Sequence, residues 1–213
     1  HSLVMLDENK EVIRPAILWN DTRTTRQCEE IYEQVGELAK LIELVSNPAL
    51  EGFTAPKLLW IKEHEPANYK KIRYIMLPKD YIRYKLTDEI KSEVSDNAGT
   101  LLFDVEHKKW SDEILELLNI SSDILPDVLY STDIAGYTTK EVEAMTGIKE
   151  GTPVIAGGAD NACGAVGSGI IKDGRVMVSI GTSGVVLVQS DKPVPDQKGR
   201  IHLFNHSYPD KFY

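Results

Sequence analysis

The sequence has little of several things, and each shortage narrows the field. It holds only two cysteines in 213 residues, Cys28 and Cys163, far apart and in neither a C-x-x-C nor a C-x-x-H spacing. A disulfide framework and a thiolate zinc site are therefore poorly supported. Positive charge is in deficit, with 24 Lys and Arg against 33 Asp and Glu and a net charge of −9. A duplex is bound chiefly by neutralising its phosphates, so no nucleic-acid partner is expected. Long apolar runs are absent: pieces such as Gly184 to Val188 fall far short of the roughly 18 residues of a membrane-spanning helix, so no membrane partner is expected. No charged and apolar leader reads as a secretory signal, which makes the cytoplasm the expected location. His64, His107, His202 and His206 show no metal-ligand spacing. His202 and His206 are four apart, but in strand-like sequence that spacing does not bring side chains together as it does on a helix, so they read as structural and no metal ligand is assigned.

What is present is the balance of a globular protein, 42% hydrophobic and 27% charged. Leu3 to Leu6, a polar turn at Asp7 to Lys10 and the run Val12 to Trp19 predict a hairpin, with Pro15 at an edge or bulge. Ile31, Val35, Leu38 and Ile42 recur at helical spacing and predict one helix over about Thr24 to Lys40, capped by Asp21 or Thr22. Further helices are expected at Pro56 to His64, from Pro66, over Lys79 to Leu86 and after Ser111; a strand is expected at Ile72 to Leu77 and a connector at Ser95 to Asp104. Thr138 and Glu141 have the spacing of a capping box. Strands follow at about Pro153 to Ala156, Arg175 to Ile180 and Val185 to Gln189, giving an α/β alternation. The chain opens on a strand without a methionine and stops as a new run begins, so it reads as an internal segment of a longer protein.

Three constellations could carry chemistry. In Val154 to Gly167 an apolar strand runs into Gly157 and Gly158, then Asp160 and Asn161, then a helix of small residues. An Asp at the carboxyl end of a strand and the start of a helix sits where open α/β sheets bind ligands, and ionised it could take a proton from a substrate hydroxyl. Asp160 could equally be an ordinary helix cap. Ser179 to Gly184 reads as a hairpin turn whose N–H groups and hydroxyls could form an anion nest, or as a turn with no ligand. It is neither a Walker A loop nor a dinucleotide fingerprint. Trp19 to Arg23 places an aromatic beside an acid–base pair, which suits a sugar's ring face and hydroxyls. Asp21 more simply caps a helix, and the role of Trp19 stays open.

Six stretches in order, Leu18 to Arg23, Asn47 to Lys57, Leu77 to Tyr81, Ser95 to Thr100, Gly157 to Asn161 and Ser179 to Gly184, resemble the FGGY carbohydrate kinases over essentially the whole segment. The resemblance implies an α/β, actin-like and ribonuclease H-like ATPase fold, incomplete here. Residues 1–171 would be the C-terminal part of the sugar-binding domain and residues 172–213 the start of the nucleotide-binding domain. It implies an ATP-dependent phosphotransferase with an alcohol acceptor, using ATP and Mg²⁺. The first and second stretches look more like kinases of D-xylulose than of glycerol; ribulose, gluconate or another polyol, and a catalytically dead sugar-binding protein, are the alternatives. Asp160 matches the general base, His1 and Asn161 match sugar contacts, and Gly181, Thr182 and Ser183 match a phosphate-binding loop. Trp19 is retained as a candidate sugar contact. The family's first phosphate loop would precede His1 and most of the nucleotide domain would follow Tyr213, so the 213 residues alone are expected to be inactive. The sequence does not specify the assembly, and a homodimer is compatible with it.

Overall fold

The computed structural model describes residues 1–181 and 184–213. Strand β1 (Val4–Leu6) is buried along its length and pairs antiparallel with β2 (Tyr74–Met76), Met5 opposite Ile75. The segment after the Asp7 to Lys10 turn meets β1 only through single bridges, Leu6 to Val12 and Leu3 to Ile17. The expected hairpin is thus present with an irregular second arm, in keeping with Pro15, which has no N–H to give to a ladder.

Four helices lie between β1 and β2: α1 (Thr25–Val35), α2 (Leu38–Val45), α3 (Thr54–His64) and α4 (Pro66–Tyr69). The single helix expected over Thr24 to Lys40 is two, because Gly36 takes a φ of +108° and its N–H bonds to Tyr32 O, closing α1. Neither Asp21 nor Thr22 caps α1. Thr24 holds that position, and the Asp21 carboxylate turns onto Arg23, accepting from Nε at 2.9 Å and Nη2 at 2.7 Å.

Helix α3 is buried from Thr54 to Leu59 and again at Ile61, as a helix with neighbours on all sides must be. Leu58 and Ile61 pack with Leu3, Met5, Ile31 and Leu41 in the main core, all six fully buried. Each such side chain contributes roughly 1.5–3 kcal/mol. Lys57 is the exception, a fully buried cation whose Nζ donates to Phe53 O at 2.8 Å and to Glu51 O; desolvation brings its pKa down to about 8.

Helix α5 (Pro78–Thr87) leads to β3 (Lys91–Glu93) and the short α6 (Val94–Asn97), so the expected connector at Ser95 to Asp104 begins as a helical turn. Next come β4 (Phe103–Asp104), β5 (Lys109–Trp110), α7 (Asp112–Leu117) and a 3₁₀ turn at Ser122–Ile124. Strand β6 (Asp127–Leu129) returns parallel to β3. Strands β7 (Ile134–Tyr137) and β8 (Pro153–Ile155) pair antiparallel around α8 (Lys140–Thr146). The cap of α8 is Thr139, whose hydroxyl accepts from Val142 N at 3.3 Å, whereas Thr138 donates to Lys149 O at 2.6 Å. Helix α9 (Asp160–Gly167) follows, then the antiparallel pair β9 (Val176–Ile180) and β10 (Gly184–Val188). Among the described residues the strands pair two by two, a mixed α/β arrangement. No helix among them is long and apolar enough to cross a membrane.

The last residues fold back. Leu203 and Phe212 pack with Ala98 and Val105, Asn47 Nδ2 donates to Leu203 O and Asn205 Nδ2 to Val105 O, both at 2.8 Å. This return lays Phe204, His206 and Ser207 beside α6 and α9, where the candidate site lies.

Candidate active site

The turn between β8 and α9 is built for close approach. Gly157 has φ +75°, open to glycine at little cost, and a Cβ on Gly158 would collide with the Ser207 hydroxyl. Ala159 is the N-cap of α9, so Asp160 is its first residue and not its cap, where a carboxylate is favoured by the positive end of the helix dipole. Small residues in α9 are explained by packing, since Ala162 and Ala165 are fully buried. Asp160 itself is exposed, and its Oδ1 accepts from Asn161 N at 2.7 Å. Its charge helps to raise the pKa of Asp96, and its neighbour Ala159 gives its N–H to Ser95 Oγ at 3.0 Å, which brings the start of α9 against α6.

Asp96 is presented by α6. Its Oδ1 lies 3.4 Å from His1 Nε2 and its Oδ2 4.0 Å from Lys79 Nζ. Burial pushes its carboxyl up, Lys79 pulls it back, and Asp80 and Asp160 push it up again. The His1 ring stacks on Phe53, with centroids 6.0 Å apart and planes at 14°, and leans on Phe204. Gly99 is required there, because a Cβ would fall on the imidazole. An imidazole and a carboxylate between aromatic rings offer both hydrogen-bond partners and apolar walls to a polyhydroxylated ligand.

A buried ionic network lies beneath. Glu93, fully buried, accepts from Ser95 N at 2.9 Å, Asp96 N at 2.7 Å, Ser95 Oγ at 2.9 Å and Ser131 Oγ at 2.8 Å. Desolvation pushes its carboxyl up, against the pull of Lys79 at 3.5 Å. Lys79 is lowered by burial but raised more by Asp80, Glu93 and Asp96, so it stays charged. Asp80 pairs with Lys79 at 2.6 Å and with Arg83 Nη1 at 2.8 Å.

The structure thus sets His1 on Asp96, and puts Asp160 and Asn161 at the start of a helix whose cap residue Ala159 bonds to Ser95. Trp19 is 66% exposed, its N–H bound to Ser2 Oγ at 2.9 Å, so it stands beside the His1 end of the site. Gly181 is exposed at the end of β9; Thr182 and Ser183 lie outside the described residues. His202 and His206 are structural: His202 Nδ1 meets Asn47 Oδ1 at 3.1 Å, and buried His206 accepts from Tyr208 N. Asp96, Glu93, Ser95 and Lys79 were not singled out from sequence as site residues. Lys79, Ser95 and Asp96 carry one signal, membership of the stretches Leu77 to Tyr81 and Ser95 to Thr100, and Glu93 lies outside both.

A mixed α/β chain whose strand-to-helix turn sets a carboxylate beside an imidazole and aromatic walls has the makings of a small polar-ligand site. The chain belongs to the FGGY family of carbohydrate kinases: residues 1–167 match the family's N-terminal domain. It is 50% identical over all 213 residues to a xylulose kinase of Bacillus subtilis strain 168, covering 42% of that protein. Among solved structures it is similar to a "xyloylose kinase" of Brucella ovis, at 35% identity and a TM-score of 0.92, covering 100% of this chain and 43% of that one. The xylulose kinase of Rhodospirillum rubrum gives 27% and 0.94 with the same coverage. The chain thus spans less than half the length of these relatives, and the architecture is that of part of an actin-like sugar kinase.

Proposed function

We propose that the chain is the sugar-side part of an ATP-dependent kinase that phosphorylates D-xylulose to D-xylulose 5-phosphate, with Asp160 as the general base. The observation that supports this reading is the position of Asp160, exposed at the first turn of α9, whose cap residue Ala159 bonds to Ser95, the sequence neighbour of the Asp96 that meets His1. Asp160 accepts the proton of the sugar's 5-hydroxyl as that oxygen attacks phosphorus. His1, Asn161, Trp19 and Asp96 hold the remaining hydroxyls. Holding the alcohol in line is most of the work in phosphoryl transfer, so a rigid base and a shaped sugar site are what this part of the chain contributes.

ATP supplies the phosphoryl group when bound, and Gly181, Thr182 and Ser183 are assigned to its phosphates by the family resemblance. Among the described residues no group of three or more His, Cys, Asp or Glu side chains could hold a metal ion. Those residues form no Mg²⁺ cage, and no step here runs through one. We place the division between the sugar-binding and nucleotide-binding parts at residues 171 and 172; the family's N-terminal domain matches residues 1–167, and Leu203 and Phe212 pack back on Ala98 and Val105. Two free thiols, Cys28 and Cys163, suit the reducing cytoplasm.

The test uses the full-length protein. Asp160→Ala should lower turnover of D-xylulose by about 100- to 10,000-fold, the range of general-base catalysis, while sugar binding persists. Unchanged turnover would remove Asp160 from the chemistry. A panel with ribulose, gluconate and other polyols decides the sugar: no turnover of D-xylulose with turnover of another overturns the substrate, and binding without any turnover leaves a sugar-binding protein on this fold.

A further inference from the structure

The turn from Ala156 to Ala159 carries Asp160 and contains two adjacent glycines, which alone would leave it weakly restrained. It is tied down at several backbone groups. Ala156 O accepts from Arg83 Nη1, with Lys79 Nζ at 3.5 Å. Gly157 N donates to Ser131 O at 3.0 Å, and Ser131 Oγ donates to Glu93 at 2.8 Å. Ala159 N, adjacent to Asp160, donates to Ser95 Oγ at 3.0 Å, and that hydroxyl gives its own proton to Glu93. Ser95 and Glu93 are both essentially buried, and Ala159 is 9% exposed.

We infer that Ser95, oriented by Glu93, is a positioning residue for Asp160: it fixes the amide before the base and so sets the direction of the carboxylate. The inference rests on the reading of Asp160 as base. Glu93 gathers donors, two backbone amides and the Ser131 hydroxyl, with Lys79 Nζ at 3.5 Å. The Ser95 hydroxyl gives its proton to the same carboxyl at 2.9 Å and so turns a lone pair toward Ala159 N. Without that oxygen the N–H of Ala159, a 9% exposed residue, loses its acceptor. Ser131 meets the turn differently: its backbone carbonyl accepts from Gly157 N while its hydroxyl donates to Glu93. Ser95 reaches across 64 residues of chain to Ala159.

Ser95→Ala in the full-length kinase leaves Glu93 its bonds to Ser131 Oγ and to two backbone amides, but frees Ala159 N. It should lower kcat by about 10- to 100-fold, as expected when a reacting group is misplaced by a fraction of an ångström to 1 Å. The sugar dissociation constant, by calorimetry, should stay within about twofold. Ser95→Thr, which restores the hydroxyl, should recover most of kcat, and Glu93→Gln, which keeps the volume but weakens the acceptor, should fall in the same direction. In an Asp160→Ala background Ser95→Ala should cost nothing further. If kcat of both Ser95→Ala and Glu93→Gln stays within twofold, or if kcat and sugar affinity fall together with no rescue by Thr, the inference is overturned. If instead Asp160→Ala alone leaves turnover unchanged, the reading of the base fails first.

Discussion

Replacing Arg83 by Met tests whether the ions under the site are organised as a unit. Arg83 and Asp80 are 4% and 1% exposed. The guanidinium gives Nη1 to Asp80 Oδ1 at 2.8 Å and to Ala156 O, and Nη2 to Lys91 O. Removing one member of a buried pair leaves an uncompensated charge and costs about 3–5 kcal/mol. Lys79, 2.6 Å from the same Asp80 oxygen, partly compensates, which argues for the lower end. Two carbonyls also lose a donor, at about 1 kcal/mol each. Arg83→Met should therefore lose about 3–5 kcal/mol in urea unfolding at pH 7, or about 6–20 °C in Tm for a protein of this size. The pair Arg83→Met with Asp80→Leu should lose less than Arg83→Met alone, because no charge is left stranded. A single-variant loss below about 1 kcal/mol, or a double variant worse than the sum of its parts, would refute the reasoning.

Two further outcomes follow from the same packing. Gly99→Ala puts a Cβ on the His1 imidazole and must swing the ring away from Asp96. Sugar affinity should fall about tenfold, the loss of roughly one hydrogen bond, with Tm little changed because the His1 side chain is 27% exposed; an unaltered dissociation constant would show that His1 does not hold the sugar. Lys57, buried with a pKa near 8, gives a pH signature. From about pH 8 to the ordinary lysine value of 10.5 the unfolded chain binds the extra proton, so this group's contribution to stability rises with pH across that window. Relative to Lys57→Met, the native protein should gain on the order of 2 kcal/mol between pH 8 and 9.5 in urea unfolding, and a flat difference would deny the burial of the ammonium.

The legible parts of this molecule are the local ones. Asp160 could be picked out because two glycines, an acid and a small-residue helix announce themselves within a dozen positions, and the α3 and α5 helices stand close to where periodicity puts them. The misreadings also have local causes. Period alone ran through Gly36, whose φ of +108° ended the helix. Thr138 and Glu141 have capping-box spacing, but the hydroxyl that caps α8 is that of the neighbouring Thr139. Asp96, Glu93 and Ser95 were invisible for a different reason. Their meaning lies in contacts such as Ser95 to Ala159 and Glu93 to Ser131, 64 and 38 residues apart, which no pattern along one element encodes.

That distance between signal and function follows from how an exposed base has to be held. Nothing in water fixes the direction of a carboxylate. Direction has to come from groups with no alternative arrangement, and those are buried groups, for which a lost partner is expensive. Burying Glu93 and Asp80 does little for net stability, since a well-packed apolar replacement would often serve as well. What an apolar core could not do is receive the Ser95 and Ser131 hydroxyl protons, or keep a cation on Ala156 O. Ser95 and Ser131, both bound to Glu93, and the two cations around Asp80 reach the backbone that leads to Asp160. The network is accordingly better explained by the aim of that one side chain than by its contribution to folding, and the split between kcat and sugar affinity in Ser95→Ala separates the two.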